Sequence, residues 1–102
     1  MSVEQSTARV STKDRFLGCL LGLGIGDALG MPVEGWSQDE IAARYGWIDS
    51  YLPRIEGDTE TVPAGEFTDA TEVALCHVEA LVSAGGFVDP EAVGRRLMLL
   101  AR

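Results

Sequence analysis

Glycine at positions 18, 22, 26 and 30 is the feature that most restricts what this chain can become. The run Phe16–Gly35, FLGCLLGLGIGDALGMPVEG, keeps that four-residue spacing and adds Gly24. Residues four apart share one face of an α-helix, so the run describes a helix with a stripe that has no side chains. Leu17, Leu20, Leu21 and Ile25 flank the stripe. Each glycine in a helix interior costs roughly 1 kcal/mol relative to alanine, and a marginal helix withstands several only if something offsets them. Close approach of another helix backbone is the expected compensation, ahead of contact with a ligand. Asp27 ends the apolar run, and Gly30-Met31-Pro32 breaks the helix, because proline disfavours helical geometry in the residue before it.

Small residues four apart also pack membrane helices. Here the uncharged run extends only from Phe16 to Gly26, between Arg15 and Asp27. A span needs about 20 apolar residues, so the reading is a buried helix of a soluble protein with no membrane partner. The formal net charge of −8 and the lack of a Lys/Arg cluster exclude nucleic acid as a partner, since nothing could neutralise phosphates. Such a surface does attract divalent cations. Glu56, Asp58, Glu60, Glu66, Asp69 and Glu72 follow one another with no basic residue among them, a pattern that also fits a solvated acidic loop. Cys19 and Cys76 are too few for a zinc or redox motif; both lie in apolar helical runs and read as core thiols in a reducing, cytoplasmic setting.

The polar start MSVEQSTARVSTKD has no apolar signal-peptide region, and residues 1–12 read as a flexible tail ahead of a helical domain over 13–102. Ser11 and Asp14 suggest a cap for the glycine-striped helix. Ser37 and Glu40 form a clearer capping box, opening a short helix that Gly46 ends. Residues 50–65 carry Pro53, Gly57, Pro63 and Gly65 without periodic apolar residues, which reads as a long functional or disordered loop. A third helix starts near Thr68–Asp69, with Asp69 and Glu72 as its capping pair, and stops at Gly85-Gly86. Asp89-Pro90-Glu91 opens a fourth, with Asp as N-cap and Pro in the first turn. No stretch alternates for long enough to suggest a strand. The fold class is therefore all-α, about four helices with one long loop. The last helix runs to the end of the chain with no stop signal, so either a partner covers it or the chain is truncated.

Two stretches carry candidate chemistry. One is Gly26-Asp27-Ala28-Leu29-Gly30 with Glu34; the other is Gly65-Glu66-Phe67-Thr68-Asp69-Ala70-Thr71-Glu72. Oxygens of Glu, Thr and Asp are hard ligands suited to Mg²⁺. On residue chemistry alone, capping of the third helix explains Thr68 and Asp69 more simply than a metal does. GCLLGLGIGDALGMPVEG, then GEFTDATE, then GG-F-DPE, together resemble the N-terminal part of the ADP-ribosylglycohydrolase family, from about Phe16 to about Arg96.

That resemblance implies an all-α bundle that hydrolyses the glycosidic bond of ADP-ribosylated proteins or related ADP-ribose compounds, using a binuclear Mg²⁺ (or Mn²⁺) centre. Glu34 matches the family's glutamate seven positions after the Asp of GDxxG, as a catalytic residue and metal ligand. Thr68 and Asp69 match the first two residues of its Thr-Asp-Asp-Thr metal motif. Ala70 stands where the second aspartate would be, and the family's further Asp-x-Asp-Ser/Thr ligands have no counterpart in the chain. The resemblance therefore implies a chain that is incomplete alone, completed by a complementary C-terminal portion or a second copy. The alternative is a non-catalytic binding module. Asp27 reads as structural, or as a group acting behind the ligands.

Overall fold

A computed structural model describes residues 9–101. Most of the tail expected over 1–12 thus lies outside the described residues. Helix α1 spans Thr12–Gly30, and the Ser11 hydroxyl accepts the Asp14 amide at 3.1 Å as its cap. A single 3₁₀ turn, Met31–Val33, follows where Pro32 interrupts the α-helical pattern. Helix α2 is Gln38–Arg44, with both arms of the capping box made: the Ser37 hydroxyl accepts from the Glu40 amide, and Glu40 accepts from the Ser37 amide. Gly46 ends it at φ 71°, a left-handed conformation that glycine adopts without strain.

The loop expected over 50–65 contains a small hairpin, which corrects the expectation of no strands. Strand β1 (Arg54–Glu56) pairs antiparallel with β2 (Thr59–Val62) in the register Glu56↔Thr59, Ile55↔Glu60 and Arg54↔Val62, with a bulge between the last two pairs. Gly57 and Asp58 form the two-residue connection, Gly57 at φ 65°, where glycine suits the first position of a tight hairpin turn. Three and four residues are too few for alternation to be seen in the sequence. The mostly helical class stands: four α-helices and one two-stranded sheet among the described residues.

Helix α3, Asp69–Ser83, packs against helix α4, Pro90–Leu100, the two being joined through Gly85 and Gly86. Ala80 (1% exposed) on α3 and Ala92 on α4 are buried. Arg96 ties α4 to the last turns of α3, donating to the Ser83 hydroxyl at 2.9 Å and meeting Glu79 at 3.6 Å. Helix α1 meets α3 differently, at its C-terminal end. There Ala28, Met31 and Pro32 are buried, and Thr71 approaches Gly24.

The rest of the glycine stripe differs from expectation. Among the described residues, an added Cβ at Gly18, Gly22, Gly26 or Gly30 would meet nothing within 4 Å; at Gly24 it would touch another element, at 3.8 Å from the Thr71 methyl. Large apolar side chains remain in water on the same scale, including Leu21 (63%), Val82 (71%) and Met98 (72%). Cys19, read as a core thiol, is exposed. The radius of gyration is 18.1 Å, against about 13 Å for a compact chain of this length. The accessible area is 7688 Å², against about 5,600 Å² for a compact 10.9 kDa monomer. This is an open arrangement of helices whose apolar faces are mostly unpaired.

By length and apolar content alone, the 22-residue stretch Thr12–Val33 could cross a membrane, its most apolar 18-residue window reaching a mean hydropathy of 1.6. Its charges argue otherwise. Lys13, Asp14, Arg15 and Asp27 confine the uncharged part to Phe16–Gly26, about 16 Å of helix against ~30 Å of hydrocarbon.

Candidate functional site

The site is organised by Asp27, three residues before the end of α1. Its Oδ2 accepts the backbone amides of Thr68 (2.8 Å) and Thr71 (3.3 Å) and the Thr71 hydroxyl (2.6 Å). Its Oδ1 accepts the Thr68 hydroxyl at 2.7 Å. Four donors from the first turn of α3 thus converge on one carboxylate. The local cause is helix-end chemistry: the first amides of a helix have no partner within it and carry the positive end of the macrodipole. Thr68 is the N-cap in extended geometry, so it and Thr71 flank the same turn, and Asp27 is the anion that meets them. Burial works to raise the Asp27 carboxyl; the hydrogen bonds from the hydroxyls and amides of Thr71 and Thr68 outweigh it and hold the group below its ordinary value. Asp69, expected to pair with Glu72 as the cap, is instead the first residue of the helix.

Glu34 follows the 3₁₀ turn and shares a shallow cleft with Gly26, Asp27, Gly30 and Met31. Its side chain is exposed. The backbone that carries it is fixed by Arg54 of β1, whose Nη1 donates to the carbonyl oxygens of Met31 and Glu34, both at 3.1 Å. Arg54 also meets Glu56 at 3.1 Å. The hairpin therefore braces the turn that presents Glu34. Neither Arg54 nor Thr71 emerged from the sequence as a site residue. A lone arginine at the head of an acid-rich loop and a Thr-x-x-Thr spacing around a cap were the available signals.

Of the expected ligands, Thr68 is joined directly to Asp27, and Glu34 borders the cleft on which Asp27 opens. Asp69 is exposed at the start of α3. Among the described residues, no hydrogen bond or ion pair ties Glu34 to Thr68 or Asp69, and no three His, Cys, Asp or Glu side chains cluster closely enough to hold an ion. The donor chemistry nevertheless fits a hard cation. A threonine hydroxyl has one proton and two lone pairs. Thr68 gives its proton to Asp27 and accepts the Ala70 amide at 3.1 Å, which leaves one lone pair open. Ala70 offers that amide and a methyl group, and no ligand.

Elsewhere, His77 is exposed, with Nδ1 at 2.9 Å from the Val73 carbonyl of its own helix. Trp36 stacks on Tyr45 at 5.9 Å, sealing α2 against its own entry turn. Phe67 and Tyr51 line an apolar groove with Leu21, Ile25 and Leu75.

Comparison with known proteins adds an independent line. The sequence model of the family described as ADP-ribosylglycohydrolase matches residues 8–102. Protein YegU of Escherichia coli is 42% identical over 90 residues, 83% of this chain and 26% of its own length. An ADP-ribosyl-dinitrogen reductase glycohydrolase of Rhodospirillum rubrum is 39% identical over 75 residues, 74% of this chain and 24% of its own. An ADP-ribosylarginine hydrolase of Pseudomonas putida is 38% identical over 74 residues, 72% of this chain and 18% of its own. The chain spans about a quarter or less of the length of these relatives. No solved structure matches it.

Proposed function

The chain belongs to the ADP-ribosylglycohydrolase family, and on that premise we propose that it supplies one side of a metal-dependent site for cleaving the bond between ADP-ribose and a modified protein side chain or related compound. The observation that carries this reading is the Asp27 clamp. A helix N-terminus repels a cation unless a carboxylate offsets it, and Asp27 supplies that charge while leaving an oxygen of Thr68 available. Glu34, Thr68 and Asp69 would hold Mg²⁺ or Mn²⁺. The bound ion would polarise the substrate and lower the pKa of a water. Glu34, exposed at the mouth of the cleft with its backbone held by Arg54, would serve as the proton acceptor there.

With Ala70 in the motif, this chain holds fewer ligands than the family pattern. Its unpaired apolar faces support completion by further polypeptide, a complementary C-terminal portion or a second copy. The free thiols of Cys19 and Cys76 support a reducing, cytoplasmic setting. A second reading, a non-catalytic module that binds an ADP-ribose compound or a partner, draws on the same Ala70 and the same apolar faces.

Thermal melting with Mg²⁺ and ADP-ribose tests both. A site with Kd about 1 mM adds about 1.4 kcal/mol at ~10 mM Mg²⁺, a rise of several degrees. Ala70→Asp enlarges that rise. A shift with ADP-ribose alone favours the non-catalytic reading, and no shift with either ligand contradicts the metal reading and leaves the second reading only its protein partner.

A further inference from the structure

We infer that Asp27 is a positioning residue that acts through Thr68, dictating which way the Thr68 hydroxyl points and so reserving its last lone pair for the cation; this rests on the metal reading proposed above. The hydrogen-bond inventory of Thr68 Oγ1 is closed on two of its three positions. An ionised carboxylate only accepts, so the proton in the 2.7 Å contact belongs to Thr68. The Ala70 amide occupies one of the two lone pairs of Thr68 Oγ1 at 3.1 Å. What remains is one acceptor position with no donor among the described residues. Without the acceptor at Asp27, the hydroxyl proton is free to rotate into that position and repel a cation.

The isosteric amide, Asp27→Asn, isolates this effect. Two backbone amides converge where Oδ2 sits, at 2.8 and 3.3 Å, so the substituted side chain must place its carbonyl oxygen there. Its NH₂ then faces Thr68 Oγ1 and takes the last lone pair. The substitution therefore keeps the amide contacts that hold α3 and removes the ligand position.

The test is Mn²⁺ binding to the full chain, read from free Mn²⁺ by electron paramagnetic resonance. Partners that orient metal ligands are worth about 10- to 100-fold in affinity. Asp27→Asn and Thr68→Val should each weaken binding by about 10-fold or more. Because one acts through the other, the double variant should bind no more weakly than Thr68→Val alone. Thr68→Ser, which keeps the hydroxyl, should restore binding. Slow amide exchange at Thr71 in Asp27→Asn, matching the wild type, confirms that the helix end is intact. Wild-type affinity in Asp27→Asn, or additive losses in the double variant, overturns the inference while leaving the metal reading standing. Wild-type protein with no saturable Mn²⁺ binding overturns the metal reading and this role with it.

Discussion

Replacing Asp27 by alanine tests how the two halves of the chain are held together. The substitution removes an acceptor shared by four donors, at 2.6 to 3.3 Å. A hydrogen bond to a charged group contributes about 1.5–3 kcal/mol, and loss of a helix cap about 0.5–2 kcal/mol. The four share one carboxylate, so they do not add. Thr71 is only 7% exposed, so its hydroxyl is left with a desolvation cost of about 1–3 kcal/mol. Together these give a loss of about 3–5 kcal/mol, comparable to the lower end of domain stabilities. Beyond the clamp, α1 and α3 share only partly exposed apolar side chains, Leu21 and Ile25 on one side of a groove and Leu75 on the other, among the described residues. Urea denaturation followed by circular dichroism measures the loss, and amide exchange locates it. Thr68 and Thr71 should lose protection while the packing of α3 on α4 persists. A change within about 0.5 kcal/mol with unaltered exchange at Thr68 and Thr71 would refute the clamp.

Three further outcomes follow from the same geometry. Because the folded-state pKa of Asp27 is depressed, its contribution to stability is fully present above the unfolded value near 3.8 and is lost as pH falls through the lower folded value; a ¹³C titration of the Asp27 carboxyl should show the low midpoint, and Asp27→Asn should remove that part of the acid dependence. Gly22→Ala should stabilise this chain by about 0.8–1 kcal/mol in urea denaturation, since the new methyl meets nothing within 4 Å; destabilisation would mean the stripe is packed in solution. Arg54→Ala should cost about 1–3 kcal/mol and speed amide exchange across Met31–Glu34, because two carbonyl oxygens lose a charged donor, whereas Glu56→Ala, which removes only the exposed ion pair, should cost under about 1 kcal/mol.

Helix ends were the most legible part of the chain, because capping is local chemistry. Ser11, the Ser37–Glu40 box, Gly46 and Asp89-Pro90 all stand where the sequence places them. The hairpin was harder: its strands are short, and Gly57-Asp58 was the only marker of a tight turn. The glycine stripe implied a neighbour that the described residues do not provide except at Gly24, since spacing reports which face is bare and not what lies against it. At the site, Glu34, Thr68 and Asp69 came from the resemblance. The bond network of Asp27 joins residues 41 and 44 positions apart, and no periodicity encodes such a distance. Arg54 was hidden for the same reason, lying 20 positions from the carbonyl of Glu34 that it holds.

The central claim is that the ends of α1 and α3 bring oxygen ligands to one cation. Adding substoichiometric Mn²⁺ to the ¹⁵N- and ¹³C-labelled chain tests it most directly, by paramagnetic broadening in its NMR spectra. The claim predicts that signals of Glu34, Thr68 and Asp69 broaden together, at the same Mn²⁺ concentration and ahead of the acidic hairpin residues Glu56, Asp58 and Glu60. Broadening confined to the hairpin, or reaching Asp69 while sparing Glu34, would contradict it.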